Sequence, residues 1–324
     1  MLSFLVRRVL QLVFMLFSIV TLVFFLLHIA PGGPIVALTG DFATLEYQIA
    51  IERLYGLDRP LPEQYANFVW RLMNGDLGQS YIYKAPVVDV VLGKLPATLL
   101  LTLPALVISS LIGVWLGAET ARKSSNFDIS VVSIALILHA VPIFWFGQLL
   151  LMLLAVQLDI FPVSGMIDAR ASYDGWRHWL DVAHHLALPC LTLIISQIAF
   201  VILISRSSLK TEMNRPYFLT ARARGNSLIQ AQYRHALPNA LLPIITLIGN
   251  RVGWIIASAI LVENVYSWPG LGRLIVTSSI NRDYPVILGT VIVAALLTLL
   301  ANLIVDLIYI WIDPRIKQGS MSEN

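Results

Sequence analysis

Charged side chains are scarce in this sequence. Of its 324 residues, 13% are Asp, Glu, Lys or Arg, against about 25% in an ordinary soluble domain. A soluble chain of this length needs far more charge to cover its surface. The scarcity excludes a soluble enzyme and a disordered protein. Cysteine is scarcer still. Cys190 stands alone and can close no internal disulfide, which excludes a disulfide scaffold. A G-x-x-x-x-G-K-[ST] phosphate loop is missing as well, and Gly270-Leu271-Gly272 does not supply one. Any nucleotide-driven step therefore needs another chain. No Cys/His cluster has structural-metal spacing. The pair His184-His185 reads as interfacial histidines, with a metal contact as the alternative. No nucleophile and base pair up in a plausible scaffold. The two halves show no inverted repeat, which disfavours a self-contained secondary transporter.

Apolar sequence abounds instead. The chain is 57% hydrophobic with a mean hydropathy of +0.77. Charge-free runs of about 20 residues can cross a hydrocarbon core of about 30 Å. Six such runs predict an all-α polytopic membrane protein. They are Val9–Ala30, the stretch between Lys94 and Glu119, the stretch between Asp128 and Asp159, Leu186–Ser205, Asn239–Val262 and Pro285–Trp311. The first follows Arg7-Arg8 but is too long for a signal h-region and lacks an A-x-A-like site, so a retained helix is expected. The third is long enough to tilt or to hold a kink at Pro142. The fifth is interrupted by Arg251, and the sixth contains Asp306.

Six spans put both termini on one side, and the basic residues say which. With the N-terminus inside, the inner segments hold twelve basic and five acidic residues, net +7. The outer segments hold nine basic and thirteen acidic residues, net −4. This is the positive-inside pattern. The pI near 9 therefore reflects orientation and is no sign of nucleic acid. The domain reading is an N-terminal tail and first span (1–30), an outer loop region (31–94), a five-helix core (95–311) with an inner loop (207–238), and an inner tail (312–324). The outer region predicts a small subdomain of short helices, one near Leu61–Met73. Trp176 and Trp179 suit an interfacial belt.

The inner loop reads as helix, break, helix: Pro216–Arg224, then Gly225-Asn226, then Ser227–Ala236, ended by Leu237-Pro238. The small residues Ala221, Ala223 and Gly225 would let another surface approach closely. Docking to an inner partner and adhesion to anionic lipid both fit this pattern.

Specific strings then add to the residue-level reading. Thr220-Ala221-Arg222-Ala223-Arg224-Gly225, followed by His235-Ala236-Leu237-Pro238, resembles the coupling loop of binding-protein-dependent ABC importer permeases. That pattern is E-A-A, three residues, Gly, nine residues, a hydrophobic position, then Leu-Pro. Here two residues separate Thr220-Ala221-Arg222 from Gly225 and eleven separate Gly225 from Leu237-Pro238, close to that spacing, while Thr220 and Arg222 replace the Glu and the second Ala, as is usual in the peptide and nickel branch. Ala30-Pro31-Gly32-Gly33-Pro34, Tyr55-Gly56-Leu57-Asp58-Arg59-Pro60, Gly75-Asp76-Leu77-Gly78, Phe161-Pro162-Val163-Ser164-Gly165, Ser267-Trp268-Pro269-Gly270-Leu271-Gly272-Arg273, Arg282-Asp283-Tyr284-Pro285 and Asp313-Pro314-Arg315 continue the likeness along nearly the whole chain. Gly33 stands where relatives often carry Asp, and Pro238 where they often carry Arg.

The resemblance implies a type I ABC importer permease fold, a bacterial-type inner membrane, cytoplasmic termini and no catalysis in this chain. It implies a second homologous permease, two ATPases that bind ATP and Mg, and an outer solute-binding protein. It assigns ATPase coupling to Thr220, Ala221, Arg222, Ala223, Arg224, Gly225, His235, Leu237 and Pro238. Trp268, Pro269, Gly270, Arg273 and Asp283 become candidates for binding-protein docking. A guanidinium at a span centre should face a wet path or the bundle interior. Arg251, with Asn250, is therefore a candidate for the translocation path, with a pair to Asp306 as the alternative. Short peptides are the leading cargo. Nickel or a metal chelate comes second, an ion-coupled transporter third and a membrane enzyme last.

Overall fold

The computed structural model describes residues 2–29, 35, 43–123, 125–171 and 173–312. Helices dominate them. They run in order α1 (Leu2–Ile29), α2 (Leu45–Tyr55), α3 (Leu61–Met73), α4 (Val87–Arg122), α5 (Ser125–Ala140), α6 (Ile143–Leu150), α7 (Trp176–Met213), α8 (Pro216–Ala223), α9 (Leu228–Ala231), α10 (Leu237–Asn250), α11 (Val252–Val265), α12 (Leu271–Ile280) and α13 (Tyr284–Ile312). A π turn over Leu151–Gln157 prolongs α6, and another over Gln232–Ala236 joins α9 to α10. The Pro31–Pro34 and Asp313–Arg315 strings, Gly33 among them, lie outside the described residues. So does the side chain of Asp306.

Among the described residues four helices are long and apolar enough to span a membrane alone, and the total reaches six if each of two bent pairs forms one span. Several details depart from the sequence reading. The third span is no kinked rod: α5 and α6 meet at 102°. The residue before a proline avoids the helical region. Pro142 itself is extended and starts a new helix, its carbonyl accepting from the Phe146 N–H at 3.0 Å. The fourth span is longer than its apolar run, because the Trp/His-rich piece belongs to the same helix. The fifth breaks by 44° at Arg251, between α10 and α11.

Pro238 does not end the loop helix. The chain stays helical from Leu228 to Asn250. Proline lacks a donor, and its ring pushes on the carbonyl four residues back. The π turn absorbs that clash. It widens the coil so that the Leu237 N–H reaches the Gln232 carbonyl, five residues back.

The chain divides into two compact units, Met1–Thr98 with Pro269–Leu297, and Leu99–Trp268 with Thr298–Asn324. In the first, Val87, Val91, Leu271, Leu274 and Val286 form one buried cluster. Gly289 lets α13 approach closely, since a Cβ there would sit 2.4 Å from Val87 Cγ1. Phe24 of α1 packs on Tyr65 and Phe68 of α3, with ring centroids 5.3 and 5.4 Å away.

In the second unit α4 and α7 meet through Gly113 and Gly117. Added Cβ atoms would lie 2.6 Å from Val201 Cβ and Ser205 Cβ. This is the small-xxx-small device of membrane helices. Ala135 of α5 packs on Ala199 and Ile202 of α7. Tyr266 is fully buried and ties three elements together. Its hydroxyl donates to the Gly147 carbonyl at 2.8 Å and meets Thr192 Oγ1 at 2.9 Å.

Candidate functional site: the inner hook and the break at Arg251

The inner hook is rooted by one face of a short helix. Phe218 and Ala221 are one turn apart in α8 and share a face. Both are buried with Leu209, Ala118, Ala231, Ala236, Ala240 and Ile244. The opposite face is open. Leu219 is 64% exposed and Ile229 50%, while Thr220, Arg222, Ala223, Arg224 and Gly225 are all exposed. This corrects the reading of Ala221, whose small side chain serves internal packing and is not offered to a partner. Ala223 and Gly225 are exposed.

The elbow is fixed locally. Gly225 takes φ +92°, which glycine adopts without strain. Asn226 Nδ2 donates to the Ala221 carbonyl at 3.0 Å, and Arg222 reaches back to the Asn226 carbonyl at 2.8 Å. Ser227 and Gln230 form a capping box that starts α9.

Polar contacts fasten the hook to the spans. Gln232, fully buried, donates to the Ala118 carbonyl at 2.7 Å. Tyr233 donates to Glu119 at 3.3 Å, and Glu119 also holds Arg122 and Lys123. Asp128 of α5 takes Arg206 and, at 2.7 Å, Lys210 of α7. Tyr217 donates to Glu212 at 2.6 Å. Partial burial and that carboxylate push the Tyr217 hydroxyl above its ordinary pKa, so it stays a donor. His235 and Leu237 are half-buried and Pro238 is exposed. Gln232, Tyr233 and Leu219 were not singled out from sequence, because nothing in their spacing marks which face is rooted.

At the break, Arg251 takes φ −85° and ψ −6°. Its guanidinium lies over the Phe200 ring at 3.6 Å and 5.5 Å from the Trp254 ring. Among the described residues it has no carboxylate partner. Gly249 and Gly253 flank it four residues apart and press against Val305 and Thr298 of α13. Asn250 beside it is exposed. The structure thus adds Phe200 and Trp254 to the pair expected from sequence.

The outer candidates are largely interior. Trp268 and Asp283 have no exposed surface, Gly270 is buried, and Pro269 and Arg273 are half-buried. The Asp283 carboxylate accepts from Ser80 Oγ at 2.5 Å and from the Tyr81 and Ile82 N–H groups at 3.2 Å. A carboxylate satisfied inside its own chain cannot dock a partner, so Trp268 and Asp283 are withdrawn as docking residues. Asp283 instead anchors residues 80–82. His184 Nε2 faces the Ile160 carbonyl at 2.9 Å and His185 faces Asp181. Among the described residues no three His, Cys, Asp or Glu side chains gather to hold a metal.

Comparison with known proteins matches this chain from end to end. Residues 109–318 fit the family described as "Binding-protein-dependent transport system inner membrane component", and residues 1–102 fit its N-terminal companion. The dipeptide transport system permease protein DppB of Escherichia coli K12 is 34% identical over 98% of this chain and 99% of its own. The di/tripeptide permease DppB of Pseudomonas aeruginosa is 35% identical over 98% and 99%. The oligopeptide permease AppB of Bacillus subtilis is 34% identical over 98% and 100%. A crystal structure of an amino acid ABC transporter with histidines shares the fold, with a TM-score of 0.50 and 18% identity over 70% of this chain and 94% of that one.

Proposed function

The chain belongs to the family of binding-protein-dependent transport system inner membrane components, and on that premise we propose that it conducts short peptides as one permease of an ATP-driven importer. It is a non-catalytic, multi-pass membrane subunit with the type I ABC importer permease fold. Relatives named for dipeptides, di- and tripeptides and oligopeptides favour a peptide cargo over nickel or a metal chelate. The partners are a second homologous permease, two ATPases that hold ATP and Mg, and an outer binding protein. The termini lie in the cytoplasm, residues 31–94 form the outer region and residues 95–311 the core.

One observation carries the coupling role. The hook is rooted by Phe218 and Ala221 and bolted to Ala118, while Leu219, Thr220, Ala223 and Ile229 are left open. A surface open on one side and anchored to several spans on the other can pass motion from a motor to the path. A rigid element with two positions is what such transmission needs. Arg251, pressed on Phe200 with Asn250 beside it, lines that path and meets the peptide carboxylate.

The test is Ala223→Trp, which adds bulk on the open face and leaves the packed one alone. The variant inserts normally, loses its ATPases on purification and no longer supports dipeptide uptake. Full ATPase retention would overturn the docking assignment. Uptake that survives ATPase loss would favour an ion-coupled transporter.

A further inference from the structure

The first unit holds a cleft of about 520 Å³ that peptide conduction leaves unused. Arg53 of α2, Arg59 before α3 and Arg71 in its last turn line it, and Asp76 is its one lining acid among the described residues. Arg71 reaches Asp76 at 2.8 Å and Arg59 reaches Glu63 at 2.9 Å, both well exposed. Arg53 has no ion pair among the described residues.

His28 lies in the same cleft. Its Nδ1 lies 2.8 Å from the Phe24 carbonyl and its Nε2 3.2 Å from Gln64 Oε1. The Gln64 amide is held in turn, its Nε2 donating to the Leu57 and Arg59 carbonyls at 3.0 and 2.8 Å. Phe24, Phe68 and Leu288 give the cleft an apolar wall, and Trp70, 67% exposed, stands at its rim. His28 lies just past the span Val6–Leu26, and Tyr284 opens the span Tyr284–Val305. Aromatic and basic groups at the end of a span occupy the headgroup level.

We propose that this cleft binds the phosphate of an anionic phospholipid, with an acyl chain against Phe24 and Leu288.

The experiment is native mass spectrometry of the full-length chain, purified from nanodiscs that hold equal phosphatidylglycerol and phosphatidylcholine. The chain retains phosphatidylglycerol preferentially. Arg53→Gln lowers that retention about fivefold, as expected for one interfacial basic residue, and Arg53→Lys keeps most of it. Should Arg53→Gln fail to fold, the lipid preference of the unaltered chain still decides. Equal retention of the two lipids, or no effect of a folded Arg53→Gln, would overturn the site. Displacement by millimolar inorganic phosphate would overturn the lipid assignment in favour of a free anion.

Discussion

Arg251 carries a full charge into an apolar span, where a guanidinium costs about 2.5–3.5 kcal/mol on insertion scales. Stacking on aromatic rings offsets about 0.5–2 kcal/mol of that, and Phe200 supplies a ring at 3.6 Å. The sequence shows the charge because it interrupts an apolar run. It does not show Phe200, which reaches the site only through the packing of α7. We predict that Arg251→Gln folds normally and raises KM about tenfold for peptides with a free C-terminal carboxylate, the loss expected for one charge-assisted hydrogen bond. An unchanged KM in uptake assays would remove Arg251 from the path. Ala221 and Ala223 make a similar point. Both are small and both lie in the hook, yet one is buried and the other open. Phe218, one turn before Ala221, shares its buried face. The family resemblance made Trp268 and Asp283 candidates for outer docking. Their burial depends on partners distant in the sequence, such as Ser80 for Asp283.

At the scale of elements, punctuation was legible where the chain stays local. α3 spans Leu61–Met73 as expected, framed by Pro60 before it and Asn74-Gly75 after it. The hook's break at Gly225-Asn226 was equally plain. Prolines inside long apolar stretches misled, because their effect depends on neighbouring turns. Pro142 starts a new helix at 102° to the last, while Pro238 is carried through a π turn. Helix contacts were silent in the sequence, since Gly113 and Gly117 look no different from Gly93. In the structure they differ sharply. A Cβ on Gly117 would meet Ser205 Cβ at 2.6 Å and the Ile202 carbonyl at 2.9 Å, while a Cβ on Gly93 meets nothing within 4 Å. Gly117→Ala should therefore destabilise the chain by about 1–3 kcal/mol. Gly93→Ala should be neutral or stabilise it by up to about 1 kcal/mol. Thermal unfolding in detergent separates the two, and equal shifts would contradict close packing of α4 on α7.

For the whole molecule, the sorted charge of the loops predicts orientation, and the apolar runs predict six spans, the upper end of the four to six that the described residues allow. Peptide as the cargo rests instead on the relatives, because selection in such systems needs surfaces that one chain does not carry. The central claim is that this chain moves peptides only when driven by ATPases docked on its inner hook. The most direct measurement reconstitutes it in proteoliposomes with the second permease, both ATPases and the binding protein. Labelled dipeptide uptake is then followed with and without ATP on the ATPase side. The account predicts accumulation that requires ATP and disappears when the ATPases are omitted. Accumulation by this chain alone, driven by an ion gradient and indifferent to ATP, would contradict it.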